Sequence, residues 1–280
     1  MIVIADKVGQ LGNRLFHFAH FVAFGRTHDV AVANPGFGDF AAFFPEFSSD
    51  PLCRFPVRRS RVPATERTRV AAFRSCALLV RGPVPKVRLQ AGEACDLRSP
   101  EFRRQAERRR LLMVSGWLFR DDASFREHGP LLRSLFKPAD DYRLIAERTA
   151  REARRDCDVL VGVHVRHGDY AAYAGGRHFH PVEAYARLIE RLAGLFPGRR
   201  PGFVVCSDDP ASCTALRGAR VTAGPGHMVE DMYALAQCDY IVGPPSTFSA
   251  WASFYGEVPL HHFNDPDAEL SLEAFRVSTG

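Results

Sequence analysis

The chain has 280 residues, 46% hydrophobic and 25% charged. At roughly 150 residues per domain this length fits two domains with separate cores and excludes a small disulfide scaffold, while the apolar content excludes wholesale disorder. The formal charge of +5 comes from 37 basic and 32 acidic residues, and only Lys7, Lys86 and Lys137 among the basic ones are lysine.

Arginine runs at 103–104, 108–110 and 154–155 read as solvated helix faces, or as a basic surface for an anionic membrane or an acidic partner. Aromatic residues are not interleaved with them, so nucleic acid is not expected as the partner. No apolar stretch approaches the ~18 residues of a membrane-spanning helix, because His17 and His20 interrupt the most apolar segment. Residues 1–6 lack the basic start and apolar core of a secretory signal, and a cytoplasmic location is expected. Seven scattered cysteines without a C-x-x-C pair read as reduced, buried thiols.

In chain order, an apolar strand at 2–5 leads into a Gly9–Gly12 turn, a helix at 13–26 and a second strand at 30–33, which make one βαβ unit. Residues 36–110 mix Pro, Arg and Phe without a sustained period and read as loops and short helices. A strand at 111–115 precedes Gly116-Trp117 and helices at 123–136 and 140–155. The second half opens with a continuous apolar strand at 159–165. A helix follows at 182–196, whose Tyr185, Leu188, Ile189, Leu192 and Leu195 form a 3.6-residue stripe. Then come a strand at 203–206, a helix at 211–216, an edge strand at 219–222, a helix at 228–237 and a strand at 240–242. A helix at 247–255, capped by Ser246, and a strand at 258–261 complete the chain. The fold class is α/β with a doubly wound parallel sheet in the C-terminal half. Dense charge at 151–158 sets the domains at 1–155 and 156–280.

Ligands of open parallel sheets sit beyond the carboxyl ends of the strands. Three polar clusters fall there: His164, Arg166, His167, Gly168, Asp169 and Tyr170; Ser207, Asp208 and Asp209; and Ser246, Thr247 and Ser249 at a helix start. A guanidinium presents a planar fork to phosphate oxygens, and a helix N-terminus favours an anion. Together they suit a nucleotide diphosphate. Taken singly, Arg166 is equally a structural ion pair with Asp169 or Asp208, the hydroxyls a plain cap, and His164 a core histidine. Asp231 is either a capping carboxylate or an acceptor for the N–H edge of a purine.

These residues carry a family resemblance. Gly9-Gln-Leu-Gly-Asn-Arg-Leu-Phe-His-Phe-Ala19 resembles the G-G-L-G-N-Q-x-F-Q-x-A signature of bacterial-type α-1,2-fucosyltransferases, glycosyltransferase family 11. Gly116-Trp117-Leu-Phe resembles G-Y-x-Q, His164-Val-Arg-His-Gly-Asp-Tyr170 resembles H-V-R-R-G-D-Y, and Cys206-Ser-Asp-Asp-Pro210 resembles F-S-D-D-P. Asp231 through Cys238 to Ser246-Thr-Phe-Ser249-Ala-Trp251 resembles D-x-x-L-M-x-x-C-x-x-x-I-x-x-x-S-S-F-S-W-W. The match leaves only 36–110 uncovered.

The resemblance implies two facing Rossmann-like domains of GT-B type and an inverting, metal-independent transfer of fucose from GDP-fucose, with no cofactor, to a galactoside hydroxyl of a glycan. By it Arg166 holds the diphosphate, His164 and Asp231 read the guanine side, and Thr247 and Ser249 bind phosphate. Gly9, Gly12 and Asn13 face the cleft from the N-terminal domain. His167 stands where the family has a second arginine, and Ala250 where it has the first tryptophan of W-W. These departures imply a weaker diphosphate clamp and a wider pocket, and leave another GDP-sugar, or a binding protein without turnover, as alternatives. Asp169, then His167, is the candidate general base. Asp208 and Asp209 offer the alternative of ligating Mg²⁺. The acceptor contacts are expected in 36–110. The setting implied is assembly of a surface polysaccharide or lipid-linked glycan at the inner face of a membrane, with peripheral contact to anionic lipid.

Overall fold

The apolar runs β1 (Ile2–Ile4) and β8 (Val159–Val165) are buried along their whole length, as strands covered on both faces must be. Each is the middle strand of a sheet in the computed structural model, which describes residues 1–216, 218, 220–265 and 267–279, except the side chains of 173 and 174. Two units divide the chain, Met1–Ala139 and Asp140–Ser278.

In the first unit β1 is followed by α1 (Leu11–His28) and β2 (Val32–Ala33). Gly9, at φ +60, makes the tight entry into α1, where a Cβ would lie 2.0 Å from Asn13 Nδ2. Asp29 ends the helix in the left-handed region, its N–H bonding Gly25 O. Next come α2 (Pro45–Ser48), β3 (Arg54–Phe55), α3 (Glu66–Leu79), β4 (Lys86–Arg88), β5 (Ala94–Asp96), α4 (Pro100–Arg108), β6 (Leu112–Ser115), β7 (Leu118–Arg120), α5 (Asp122–Glu127) and α6 (Gly129–Leu135). The main sheet runs β3-β2-β1-β6-β4, parallel except for β3, and β5 pairs with β7 apart from it.

The stretch 36–110, expected as loops and short helices, also holds strands β3, β4 and β5 and the 14-residue α3, and its first part is a wall of this core. Short 3₁₀ turns at Pro35–Asp39 and Ala41–Phe43, and α2 after them, point Phe37, Phe44 and Phe47 inward. Phe47 lies 4.9 Å from Phe18 of α1 and 5.2 Å from Phe136 between ring centres. A three-residue turn imposes neither strand nor α-helix spacing, which is why no pattern is readable. The single helix expected at 123–136 is two, because Pro130 lacks the N–H to continue α5 and instead opens α6.

The second unit begins with α7 (Asp140–Ala153), which the sequence reading set in the domain 1–155. Its Ala146 and Ala150 are buried, it packs against the helix Met228–Leu235 and the strand Pro201–Ser207, and Arg154 just beyond it pairs with Asp239 at 2.8 Å. After β8 follow α8 (Val182–Gly194), β9 (Pro201–Ser207), α9 (Pro210–Ala215), β10 (Val221–Ala223), α10 (Met228–Leu235), β11 (Tyr240–Gly243), α11 (Thr247–Gly256) and β12 (Leu260–His262). Ala219, in the expected edge strand, lies outside the described residues. The sheet order is β10-β9-β8-β11-β12, all parallel. Tyr185, Leu188 and Leu192 of α8 pack onto Val159, Val161, Val163 and Val165 in one apolar cluster. Strand order reverses between β8 and β11, so a crevice opens at the carboxyl ends of these strands. Among the described residues no helix is long and apolar enough to cross a membrane.

Candidate active site

The register His164↔Cys206 and Val165↔Ser207 sets the ends of β8 and β9 side by side. A cavity of about 260 Å³ lies there, lined by His164, Arg166, Cys206, Ser207, Asp208, Gly226, His227, Met228, Asp231 and Phe248. It brings together five residues that the sequence singled out: His164, Arg166, Ser207, Asp208 and Asp231.

Arg166 is held in place by carboxylates. Nη2 donates to Asp169 Oδ1 at 2.7 Å and Nη1 lies 3.1 Å from Asp208 Oδ2. Its guanidinium stands over the Tyr170 ring at 5.5 Å, and the Tyr170 hydroxyl donates to Pro245 O at 2.6 Å. Arg166 is thereby tied, through Tyr170, to the turn that starts α11. Asp208 Oδ1 also accepts the His167 N–H at 2.8 Å. At Gly168 a Cβ would sit 2.4 Å from Asp208 Oδ2, so a side chain there would displace that carboxylate. A guanidinium fixed this way presents its remaining N–H groups without first losing rotamer freedom.

His164 is buried, stacks on Phe248 with 4.9 Å between ring centres, and leaves its Nδ1 without a hydrogen-bond partner. Burial, reinforced by the positive Arg166, pushes its pKa down to about 3, so the ring is neutral. A buried polar nitrogen without a partner at a cavity wall is a place where a ligand group gains a bond. Opposite it, Asp231 accepts the Gly226 N–H at 2.9 Å, and burial raises its carboxyl to about 6. His227 caps α10, accepting the Val229 N–H at 3.3 Å, and stacks on Tyr142 of α7.

Several expected site residues have other duties. Ser246 caps α11 by accepting the Phe248 N–H at 3.2 Å, and Thr247 is the first helical residue. Ser249, expected at the phosphate, is fully buried, donating to Ser246 O at 3.2 Å with its oxygen 3.1 Å from His262 Nε2. His167, expected as a candidate base, is engaged at both ring nitrogens. Its Nδ1 lies 2.8 Å from Ser212 Oγ and its Nε2 2.7 Å from His180 O, and the ring packs against Phe179. Asp169, 60% exposed, is the partner of Arg166.

Asp208 and Asp209 diverge. Asp209 caps α9 through the Ala211 N–H and accepts from Ser212 at 2.7 Å. Among the described residues no three His, Cys, Asp or Glu side chains group as a metal ion needs. The cysteines are free thiols, and burial raises Cys206 well above its ordinary pKa. Gly9, Gly12 and Asn13 stand at the start of α1 in the first unit, with Gly12 buried. Phe248 and His227 carried no role in the sequence, and Tyr170, named in the first polar cluster, had none assigned to its hydroxyl. For His227 a signal existed, its place two residues before Val229 at a helix start; for the ring stacking of Phe248 there was none.

Two α/β units, each with a mainly parallel sheet and one with polar groups gathered at its switch point, define a protein of GT-B-like fold. Residues 128–277, more than half of the chain, match the model of Glycosyl transferase family 11, and the chain belongs to that family. It is similar to the galactoside 2-alpha-L-fucosyltransferase Sec1 of Mus musculus, 36% identical over 121 residues, which are 39% of this chain and 33% of that one. The chain thus spans about a third of that relative's length. Among solved structures, FUT1 of Arabidopsis thaliana in complex with GDP aligns with a TM-score of 0.61 and 14% identity over 98% of this chain and 73% of that one. The NodZ alpha-1,6-fucosyltransferase co-crystallized with GDP aligns with a TM-score of 0.58 and 17% identity over 94% of each. At these identities the two structures establish the fold.

Proposed function

We propose that this protein transfers a fucosyl group from GDP-fucose to a galactoside hydroxyl, O2 in the family's pattern, of a glycan acceptor. The acceptor oxygen bonds to the anomeric carbon as the bond from that carbon to the diphosphate oxygen breaks. The electron pair leaves with GDP, and the configuration inverts. Arg166, prepositioned by Asp169 and Asp208, and the N-terminal end of α11 take up the charge that develops on the leaving diphosphate. His164, Phe248 and Asp231 form the wall that receives the purine, and an ionised Asp231 accepts N–H groups from its edge. Asp169, with an exposed face, takes the acceptor proton.

The observation that carries this reading is the fixed Arg166 guanidinium at the same cavity as the partnerless His164 nitrogen and the buried Asp231. Mass spectrometry of a galactoside panel incubated with GDP-fucose and, in parallel, GDP-mannose tests it. A mass gain of one deoxyhexose with GDP-fucose is expected, and product from GDP-mannose alone overturns the choice of sugar. No metal is needed where a cation and a helix end neutralise the leaving group, so excess EDTA leaves the rate unchanged. Loss of turnover that Mg²⁺ restores overturns that part.

A further inference from the structure

Residues 57–81 of the first unit contain five of the ten large apolar side chains that stand exposed among the described residues: Val57, Val62, Val70, Leu78 and Leu79. The same stretch contains seven arginines against a single acid, Glu66, a net charge of +6. The whole chain carries +5, so everything outside this stretch is close to neutral, at −1. Excess charge and exposed apolar surface therefore coincide in one place.

Helix α3, the centre of the stretch, has no fully buried residue. It is moored by Cys76 and the following Val80, which pack on a small cluster with Val3, Ala5 and Met113, and by Arg69, which donates to Ser48 O. Its outer row of Arg67, Val70, Arg74, Leu78 and then Arg81 recurs at three- and four-residue intervals and so forms one face. Leu78 is 66% exposed and Leu79 48%. A groove of about 280 Å³ runs along it, lined by Phe73, Arg74, Ala77, Leu78 and Arg81.

We propose that this face seats the protein on an anionic lipid bilayer, with Val70, Leu78 and Leu79 entering the headgroup layer and Arg67, Arg74 and Arg81 pairing with lipid phosphates. Arginine and aliphatic side chains alternating on an unburied helix match both parts of such a surface. A nucleic-acid backbone offers the aliphatic residues nothing, and the aromatic ring of the helix, Phe73, lies under the Lys7 ammonium at 4.7 Å rather than free for stacking. The surface differs from the one suggested by the arginine runs at 103–110. The apolar residues of α4, Phe102 and Ala106, are buried inward, and its Arg103 pairs with Glu107 at 3.6 Å. The inference goes beyond the transferase reading and does not depend on it.

Flotation of the full chain with vesicles of phosphatidylcholine, alone or mixed with phosphatidylglycerol, tests the proposal. Binding is expected only with phosphatidylglycerol and to weaken as salt rises. Arg67→Gln with Arg74→Gln, and separately Leu78→Ser with Leu79→Ser, are each expected to lower partitioning on the order of tenfold, with thermal melting unchanged because all four side chains are exposed. Equal binding to neutral vesicles, no binding, or variants that bind like the parent overturn it. So does a dimer in sedimentation equilibrium that the leucine variant dissolves, which assigns the face to a second copy. Capture by duplex DNA or polyglutamate that vesicles cannot displace overturns it as well.

Discussion

Arg166 at the end of β8 reaches Asp208 at the end of β9, Nη1 to Oδ2 at 3.1 Å, while the other oxygen of that carboxylate holds the backbone N–H of His167. One acidic side chain thus fixes both the guanidinium and the loop that carries it. Replacing Arg166 with Ala removes the charge proposed to meet the leaving diphosphate, and kcat/KM with GDP-fucose should then fall by about 10²–10³-fold. Asp208→Asn keeps the shape but loosens the guanidinium, so KM for the donor should rise about tenfold with a smaller change in kcat. Steady-state kinetics on both variants distinguish the roles; near-parental turnover in the first contradicts the assignment.

Asp231 gives an opposite pair of effects on stability and binding. Burial raises its carboxyl from 3.8 to about 6, so between these values the folded state holds a proton that the unfolded state has released. Its ionisation therefore costs stability as pH rises through this window, by about 3 kcal/mol above pH 6 as an upper figure. Asp231→Asn should be more stable than the parent near neutral pH, with the gain vanishing toward pH 4. GDP should bind the parent more tightly as pH rises through 6, and the variant should lose that dependence. Melting and calorimetric titrations over this range test both, and a pH-independent difference in melting is incompatible with the stated cause.

Buried histidines act in the other direction. Burial pushes His17 and His164 down to about 4 and about 3, and His20 and His262 to about 3 and about 4. Below the ordinary value of 6.5 the unfolded chain takes up protons that the folded one refuses, so stability is fully present above 6.5 and is lost as pH falls toward 4. Each group costs about 2 kcal/mol at pH 5. Steep acid unfolding between pH 6.5 and 5 is expected, and His17→Phe, which fits among Phe21, Trp117 and Phe119, should flatten it. A flat melting profile across this range would refute the account.

Ser249 separates a structural hydroxyl from a ligand-binding one. Its bonds to Ser246 O and His262 lie inside the unit. Ser249→Ala should cost about 1 kcal/mol of stability and leave the affinity for GDP unchanged. Weakened GDP binding in isothermal titration, with melting unaffected, would return the residue to the phosphate site.

Outside 36–110 the sequence determined most of the elements and where their chemistry falls. The unbroken apolar run of β8 and the Tyr185, Leu188, Leu192 stripe of α8 report burial through spacing alone, since neighbours along a strand or helix are fixed by local geometry. Chain order then sets Arg166, Asp208 and Ser246 at one sheet edge, because each follows the carboxyl end of a parallel strand. What a side chain can reach is not local. The ring of His167 is engaged at both nitrogens because Ser212 and His180 come from α9 and from the loop before α8, far along the chain. The hydroxyl of Ser249 is closed off by packing on its own unit, α7 belongs to the second unit through Ala146 and Ala150, and Phe37, Phe44 and Phe47 become core through turns too short to leave a period. Tertiary packing decided these, because accessibility and hydrogen-bond partners depend on which distant segments arrive beside a residue.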